Sequence, residues 1–265
     1  MSTDPTPQRA SSPEFFYTFD FGGSSLKAAT SDGLGTVLGQ RLRKPIEYPY
    51  YPAQFIQDVG ECIGNLPTAD AVVVGLPGMI RNGVIVHTPH YINSAGPFTP
   101  RGEELTKAWT GFQAAAELTM ATGLTTVVVN DSELHGAALI EGSGLEVAFT
   151  LGTGLGSSHF HNGQLQAHLE MSHAPITTDD TFDTFIGNLA LQRIGAELWN
   201  QRVLTMTSKL QPVYLWDRAY LGGGNTFHLT ERTRTILLEK FNMNVVKNRA
   251  ALSGGARVFR GSQNL

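Results

Sequence analysis

The sequence predicts an α/β protein with two domains and a cleft between them. Segments with strand and helix patterns alternate along the 265 residues, and each half opens with a strand, a glycine loop and a second strand. The glycines cluster after short apolar runs, where they mark strand ends and tight backbone approaches. We predict a flexible tail over residues 1–14, a first domain over 15–124 and a second domain over 125–265, with the last helix packed back on the first domain.

The first half is predicted to begin with an antiparallel meander. An aromatic strand lies in FFYTFDFGG, and two further strands surround the Asp-Gly turn of SSLKAATSDGLGTVLGQRLRKPI. A helix follows in YPAQFIQDVGECIGNL, then a buried strand in ADAVVVGLPG and another strand in GVIVHTPHY. The stretch GEELTKAWTGFQAAAELTMATG is predicted to be helical for most of its length and to end at Gly123.

The second half is predicted to start near Thr125. A buried strand in LTTVVVND and a helix in SELHGAALIEG precede the unit LEVAFTLGTGLGSSHFHNGQLQ, which has a hairpin turn at Asn162-Gly163. A long helical stretch follows in TFIGNLALQRIGAELWNQRVLTMTSKL, then a strand in DRAYLGGGN and a helix in ERTRTILLEKF. A short strand and a final helix are predicted in MNVVKNRAALSGGARVF.

The composition excludes several classes of protein. Hydrophobic residues make up 41% and charged residues 16%, which is typical of a globular chain. A net charge of −4 argues against a nucleic-acid partner. The sequence has no apolar run near the ~20 residues that span a bilayer and no signal peptide, so we expect a soluble cytoplasmic protein without a membrane partner. Cys62 is the single cysteine, which excludes an internal disulfide and a multi-cysteine zinc site.

The stretch VVVNDSELHGAALI places two polar residues, Asn130 and Asp131, at the end of an apolar strand. Asp131 can cap the following helix by accepting backbone N–H groups. It can also point into the crevice where open α/β sheets bind ligands. This stretch alone leaves both interpretations open and favours the cap.

Two glycine loops have residues that suit phosphate groups. DFGGSSLK places Asp20 at a strand end, before glycines, two hydroxyls and Lys27. Asp20 can hold Mg²⁺ directly or through water, although a plain hairpin with a glycine bulge explains this loop equally well. LGTGLG at 151–156 has the same form with Thr153 as the hydroxyl, and neither loop is a Walker A or Rossmann motif. Two such loops that face each other indicate a phosphate site more specifically than either loop does alone.

The motifs taken together resemble the ROK family of sugar kinases, within the actin-like ATPase superfamily, and are most similar to its polyphosphate/ATP glucokinase branch. The resemblance runs from Phe16 to Arg257, over DFGGSSLKAAT, VVGLPGMIRNGVIVHTPH, VVVNDSELHGAALIEG, FTLGTGLGSSHFHNGQL, HLEMSH and AYLGGGN. It implies two actin-like (ribonuclease H-like) domains and a homodimer. It also implies Mg²⁺-dependent transfer of a phosphoryl group from ATP or polyphosphate to the 6-hydroxyl of glucose or a related hexose.

The resemblance implies roles for individual residues, with Asp131 as the catalytic base and Asp20 as the metal ligand. The sugar-contacting positions are Gly78, Thr88, Asn130, Asp131, Glu170 and His173. The phosphate and nucleotide positions are Asp20, Gly22, Gly23, Ser24, Ser25, Lys27, Gly152, Thr153, Gly154, Gly156, Gly222, Gly223, Gly224 and Asn225. A carboxylate beside a sugar hydroxyl can accept its proton as the O–P bond forms, so Asp131 can serve as base and cap together.

The sequence departs from the family pattern at three places that bear on the sugar. Ser172 stands where Glu-x-Gly-His has glycine, and Pro89-His90 replaces the usual Pro-Asn. The segment YINSAGPFTPRGEELTKAWTGF is longer than usual and is expected to form part of the pocket rim. The exact sugar therefore does not follow from the resemblance.

Four of the eight histidines fall in SSHFHNGQLQAHLEMSH: His159, His161, His168 and His173. The zinc motif of many family members needs three cysteines, which this chain lacks. No carboxylate pair or cysteine supports a closed four-ligand site here, so we expect polar or sugar-contacting histidines and no zinc.

Two other functions compete with a kinase. A non-catalytic sugar sensor is expected to carry an N-terminal helix-turn-helix, for which the tail is too short, and to lose its base, whereas Asp131 is present. An actin-like structural ATPase does not need Glu170 and His173. For the donor, LGGGN favours a nucleotide, and Lys27, Arg41, Arg43 and Lys44 are a modest cationic set, so we expect ATP use with polyphosphate as a second donor.

Overall fold

The computed structural model describes residues 12–97, 99–246 and 251–262, so residues 1–11 of the predicted tail lie outside the described residues. The first half contains seven strands and four helices. They are β1 (Phe15–Phe21), β2 (Ser25–Asp32), β3 (Val37–Pro45), α1 (Pro52–Ile63), β4 (Ala71–Leu76), β5 (Met79–Arg81), β6 (Val84–His87), α2 (Glu103–Trp109), α3 (Ala114–Thr122), β7 (Thr125–Asn130) and α4 (Asp131–Ala137).

The second half repeats the arrangement with shorter edge strands. Its elements are β8 (Leu145–Leu151), β9 (Leu155–His161), β10 (Gln164–Leu165), α5 (Phe182–Ile186), α6 (Asn188–Tyr214), β11 (Arg218–Gly222), α7 (Glu231–Phe241), β12 (Met243–Val245) and α8 (Gly255–Ser262). Single turns of 3₁₀ helix occupy Met171–His173, Gly224–His228 and Ala251–Ser253.

Two five-stranded sheets confirm the predicted α/β class and the internal duplication. Their strand orders are β3-β2-β1-β4-β7 and β10-β9-β8-β11-β12. In each sheet the first strand of the half pairs antiparallel with the next strand and parallel with a later one. The two halves therefore share one topology, as the repeated strand–loop–strand unit predicts.

The strand β7 lies in the first sheet, whereas the sequence analysis placed it in the second half. It pairs parallel with β4 from Ala71↔Thr125 to Leu76↔Asn130. A run that is apolar on both faces indicates a buried parallel strand but carries no information on its partner. The second sheet starts at β8, and the two-domain division itself stays a prediction.

The stretch predicted to be helical for most of its length forms two helices, α2 and α3. The first ends at Trp109, because Thr110 is extended with a φ of −69° and a ψ of 120°, and Gly111 follows with a φ of 78°. The Gly111 amide donates to the Ile85 carbonyl at 2.8 Å and the Ile85 amide donates to the Phe112 carbonyl at 2.9 Å. This bridge to β6 replaces the helical hydrogen bonds. The sequence analysis also missed β5, which pairs with β6 across the Asn82-Gly83 turn.

The predicted long helix is α5 followed by α6, and α6 is interrupted at Gly195, where φ is 77° and ψ is 164°. Within the described ranges, none of the helices is both long and apolar enough to cross a membrane.

Three groups of buried side chains form the core. One packs on the first sheet around Phe55 and Trp109, and one on the second sheet around Trp199 and Phe149. The third lies between the sheets and combines strand residues with side chains of α4 and α8; we call it the central cluster. Its members are Phe16, Ala71, Val73, Val129, Leu134, Ala137, Ile140, Ala148, Phe160, Leu165, Tyr220, Ala251, Ala256, Val258 and Phe259. The last helix thus packs against both sheets.

Candidate active site

A cavity of about 620 Å³ opens where the two sheets meet, at the carboxyl ends of their parallel strands. Gly78 follows β4, Asn130 ends β7, Gly152 follows β8 and Gly223 follows β11. Ligands bind at this edge in open α/β sheets. Eleven predicted site residues line the cavity: Gly78, Asn130, Asp131, Gly152, Thr153, Gly154, Gly156, Glu170, His173, Gly223 and Gly224.

Asn130, rather than Asp131, is the N-cap of α4. Its Oδ1 accepts a hydrogen bond from the Ser132 amide at 2.8 Å, and its Nδ2 donates to the Gly78 carbonyl at 2.7 Å. The Glu133 carboxylate completes a capping box by accepting from the Asn130 amide at 2.8 Å. The N-cap role that the sequence favoured for Asp131 therefore belongs to its neighbour Asn130.

Asp131 is the first residue of α4 and faces the cavity. Its carboxylate accepts a hydrogen bond from the Ser132 amide, 2.9 Å from Oδ1. Burial raises the pKa of Asp131 to about 6, with further raising by the charges of Asp20 and Glu170 and lowering by His135. A carboxylate with this pKa is ionised at neutral pH and can still accept a proton, as a general base requires.

His135 lies one helical turn after Asp131 and joins it to the first glycine loop. Its Nε2 is 3.4 Å from Asp20 Oδ1, and Lys27 Nζ is 2.9 Å from Asp20 Oδ2. Burial raises the pKa of Asp20, but hydrogen bonds and charges of His135 and Lys27 outweigh it and lower the pKa. Burial lowers the pKa of His135, and Asp20 and Asp131 raise it above its usual value. The sequence analysis missed His135, although the i, i+4 spacing from Asp131 was a signal.

Both oxygens of Asp20 therefore already have nitrogen partners, Lys27 and His135, and this arrangement does not fit an Mg²⁺ ion bound directly to that carboxylate. Within residues 12–97, 99–246 and 251–262, no group of three His, Cys, Asp or Glu side chains could hold a metal. A contact between Asp20 and Mg²⁺ through water stays a prediction.

The first glycine loop does not line the cavity. The Tyr48 hydroxyl donates to the Gly23 carbonyl at 2.7 Å and the Tyr91 hydroxyl donates to the Gly22 carbonyl at 3.0 Å. A Cβ atom on Gly23 would lie 2.6 Å from Pro97 Cγ. The segment around Pro97 thus covers this loop. The phosphate role of the loop, with Asp20, Gly22, Gly23, Ser24, Ser25 and Lys27, stays a prediction.

Three other predicted residues lie just behind the cavity wall. The buried Thr88 donates its hydroxyl to the Pro77 carbonyl at 2.9 Å and supports the loop that carries Gly78. Asn225 donates to the Gly152 carbonyl at 3.0 Å, which ties it to the second glycine loop. Gly222 ends β11.

The rim contains the predicted long segment. Asn93, Pro97, Thr99 and Arg101 line the cavity beside Pro89 and His90. Arg101 has no carboxylate partner within 4 Å in the described ranges, and its positive charge, after burial, lowers the pKa of His87. The rim is therefore cationic on this side.

Asp183 is a cavity residue that the sequence analysis missed. Its Oδ1 accepts from the Leu155 amide at 2.8 Å, and burial raises its pKa. A Cβ atom on Gly154 would overlap the Asp183 carboxylate. This pairing requires glycine at 154, and the contact spans 28 residues, so local sequence patterns do not reveal it.

The four histidines at 159–173 do not share one site. His161 is exposed, and the ring of His159 packs against Tyr214 with centroids 5.8 Å apart. His168 and His173 both line the cavity, and His168 lies between Glu133 and Glu170, with both nitrogens 3.2 Å from carboxylate oxygens. The sequence analysis weighed His168 as a metal ligand and missed these partners.

The fold is the actin-like ATPase fold of the ROK sugar kinases. An inorganic polyphosphate/ATP-glucomannokinase from Arthrobacter sp. strain KM superimposes with a TM-score of 0.71 at 21% identity, covering 96% of this chain and 100% of that chain. A ROK family glucokinase from Streptomyces griseus, in complex with glucose and AMPPNP, gives 0.66 at 12% identity, covering 93% and 98%. A ROK family transcriptional regulator, a homologue of the E. coli MLC protein, gives 0.68 at 15% identity, covering 93% and 78%.

Sequence relatives point to the same family, and the resemblance to ROK sugar kinases is confirmed. A polyphosphate glucokinase from Mycobacterium leprae is 27% identical over 173 residues, covering 60% of this chain and 48% of the relative. The matched part of this chain thus spans about half the length of that relative. A polyphosphate glucokinase from Mycobacterium tuberculosis is 22% identical over 220 residues, covering 78% and 76%. No protein-family model matches the chain.

Proposed function

We propose that this chain is a sugar kinase that transfers a phosphoryl group from ATP or polyphosphate to the 6-hydroxyl of glucose or a related hexose. One observation carries the proposal: Asp131, whose pKa is raised to about 6, faces the cavity where the strand ends of both sheets meet. The second glycine loop borders the same cavity, so a base and a candidate phosphate loop share one space. The named activities of the relatives support the same class.

The reaction needs little covalent chemistry from the protein. The acceptor hydroxyl oxygen forms a bond to the terminal phosphorus of the donor, the bond from that phosphorus to the leaving phosphate breaks, and the hydroxyl proton passes to Asp131. Asn130 is fixed by Ser132 and Gly78, and its remaining amide hydrogen is free to hold a neighbouring hydroxyl. Glu170 and His173 contact the sugar from the opposite half.

The donor is proposed to lie along the second glycine loop, formed by Gly152, Thr153, Gly154 and Gly156. The Gly152 N–H already donates to the Gly154 carbonyl at 3.1 Å, so the backbone N–H groups of Thr153 and Gly154 are the ones proposed to bond phosphate oxygens. Gly224 leaves space beside it, because a Cβ atom there would have nothing within 4 Å, whereas Gly223 packs closely against the Leu151 backbone. Arg101 adds a cation at the rim. Mg²⁺ bound with the donor would neutralise phosphate charge. We expect ATP to serve as donor, with polyphosphate as a second donor, and the chain to form a homodimer with twice the mass of one chain in light scattering.

The test is a coupled assay of the purified protein on a panel of hexoses, with ATP and polyphosphate as parallel donors. We expect phosphorylation of glucose or a close hexose that is lost on chelation of Mg²⁺. Polyphosphate use is expected to weaken more steeply with salt than ATP use, because salt screens many charges at once. Absence of transfer to every hexose with both donors would overturn the proposal.

A non-catalytic sugar-binding regulator is the second candidate, because a transcriptional regulator shares the fold. It predicts hexose binding in calorimetry without phosphoryl transfer. The kinase proposal predicts both, so the assay and the calorimetry together separate the two functions.

A further inference from the structure

A continuous set of hydrogen bonds joins the cap of α4 to Glu170 through His168. The Asn130 amide donates to Glu133 Oε2 at 2.8 Å, and Glu133 Oε1 is 3.2 Å from His168 Nδ1. His168 Nε2 is 3.2 Å from Glu170 Oε2, and the Ser172 hydroxyl donates to Glu170 Oε1 at 2.6 Å. The imidazole is 9% exposed and the Glu133 side chain 6%, so water competes little for these bonds.

The charge state of His168 follows from its two partners. A neutral imidazole has one donor and one acceptor nitrogen, and an ionised carboxylate only accepts, so both contacts are satisfied by an imidazolium. Burial lowers the pKa of His168, but hydrogen bonds and charges of Glu133 and Glu170 outweigh it and raise the pKa to about 9. Other titratable groups are coupled to this site. His159 of β9, whose pKa is lowered by burial, interacts with Glu133 and His168. The groups that interact with Glu170 are His173, His87, Asp131 and Asp183.

The Glu170 carboxylate is consequently fixed at both oxygens. Burial raises its pKa, but His168, Ser172 and His173 lower it below the usual value, so it is ionised at neutral pH. Each oxygen keeps a lone pair that can accept from a ligand hydroxyl. Glu170 comes from the second half of the chain, whereas Asp131 and Glu133 lie on α4. Because His168 joins Glu133 to Glu170, it sets the distance between Asp131 and Glu170, the two carboxylates of this group that face the cavity.

We propose that His168, held between Glu133 and Glu170, is a positioning residue that orients the Glu170 carboxylate to receive hydroxyl groups of a neutral sugar. This inference rests on the proposed function, because it assigns the ligand of Glu170 to the acceptor sugar. It also defines the ligand class: a sugar with a carboxylate or phosphate on this edge would meet Glu170 and Asp131, two like charges, and is disfavoured.

The first experiment compares His168→Ala with His161→Ala, a control on an exposed histidine of the neighbouring strand. Calorimetry with glucose and no donor gives the sugar affinity, steady-state kinetics give KM for sugar and for donor, and thermal melting reports stability. We expect His168→Ala to weaken glucose binding and raise the sugar KM by about 10-fold or more, as for loss of a hydrogen bond to a charged group. We expect the donor KM to stay within about twofold, and His161→Ala to match the wild type.

The conservative variant Glu133→Gln tests the proton arrangement. The amide can accept from Asn130 and donate to His168 Nδ1, and a neutral His168 then still donates to Glu170 from Nε2. A His with a raised pKa is charged below that pKa and loses the second proton above it. Wild-type sugar affinity should therefore fall as pH rises through about 9. We expect Glu133→Gln to retain binding at pH 7 and to lose this alkaline dependence.

Wild-type glucose affinity in His168→Ala would overturn the inference. So would an equal rise in sugar and donor KM together with a lower melting temperature, since that marks general damage. A wild-type protein that binds glucose but transfers no phosphate would overturn the proposed function alone, and the His168→Ala comparison would still decide this inference. Absence of glucose binding by the wild type would overturn the inference.

Discussion

The buried surroundings of Asp131 disfavour the ionised form of its carboxylate. Burial raises its pKa to about 6, and the folded state therefore favours the protonated form more than the unfolded chain does. An acid whose pKa is raised in the folded state costs folding stability increasingly as the pH rises from the usual Asp pKa to about 6, and the full cost applies above that pH, because the charge must be kept in a buried place. The same environment leaves a base that is ionised at neutral pH yet close to accepting a proton.

Replacement of Asp131 by Asn removes the base while keeping the size of the side chain. We expect kcat to fall by about 10²–10⁴-fold in the hexose assay. Because the neutral amide avoids the cost of a buried charge, the melting temperature at pH 7 should stay the same or rise. A variant with near-normal turnover would remove Asp131 from the role of base.

The pH dependence of wild-type activity should show the titration of Asp131. The base form of Asp131 is lost as pH falls through about 6, so kcat/KM for the sugar should decline below that pH. Initial rates measured between pH 4.5 and 8 at constant ionic strength show this decline, because the range extends about 1.5 pH units below the pKa of Asp131. A rate that stays flat to pH 4.5 would contradict the raised pKa.

At the scale of elements, the second glycine loop contains a matched pair of glycines. A Cβ atom on Gly154 would overlap the Asp183 carboxylate, whereas a Cβ atom on Gly152 has nothing within 4 Å. We expect Gly154→Ala to lower the free energy of unfolding by about 1–3 kcal/mol, as for an overpacked site, and Gly152→Ala to leave it within about 0.5 kcal/mol. Chemical denaturation of both variants measures the difference, and equal stabilities would show that Asp183 moves aside freely.

The elements themselves were largely predictable, because hydrophobic period and turn residues act locally. The meander β1–β3, the cap region of α4 and the hairpin β8–β9 all follow from such signals. The break between α2 and α3 was not predicted, because it depends on the hydrogen bonds of Gly111 and Phe112 with Ile85 of β6. The sheet that β7 joins was missed for a similar reason, since pairing is decided by a distant strand.

The site was predictable to the extent that its residues follow strands directly. Asn130, Asp131 and the second glycine loop fall at strand ends, where ligands are expected. His135 and His168 owe their properties to Asp20 and Glu133, which are 115 and 35 residues away in the chain. Long-range charge pairs of this kind are set by the fold and cannot be inferred from the local sequence.

At the scale of the whole molecule, α8 connects the end of the chain to α4. The Arg257 guanidinium donates from Nη1 to the carbonyls of Ala137 at 2.8 Å and Ile140 at 2.6 Å, which lie at and beyond the last turn of α4. Carbonyls at a helix end lack partners within the helix, so this contact satisfies groups that would otherwise be unpaired.

We expect Arg257→Ala to lower the free energy of unfolding by about 1–3 kcal/mol, because two carbonyls lose a charged donor. Arg193→Ala, on the exposed face of α6, is the matched control and should change stability by no more than about 0.5 kcal/mol. Urea unfolding of the two variants provides the comparison. If both behave alike, α8 does not contribute to the stability of α4 through this side chain.

The central cluster also has a mechanical consequence for the two halves. The helix α4 is hydrogen-bonded at its first turn to Ser157 and Ser158 of β9 and beyond its last turn to Arg257, so it is fixed at both ends. A rotation of one sheet relative to the other that keeps this packing intact would have its axis near α4. Asp131 lies on α4 and would move little in such a rotation, whereas rim residues such as Pro97 and Arg101 would move in proportion to their distance from the axis. A small angular change would thus narrow the mouth of the cavity while leaving the carboxylate at its floor in place.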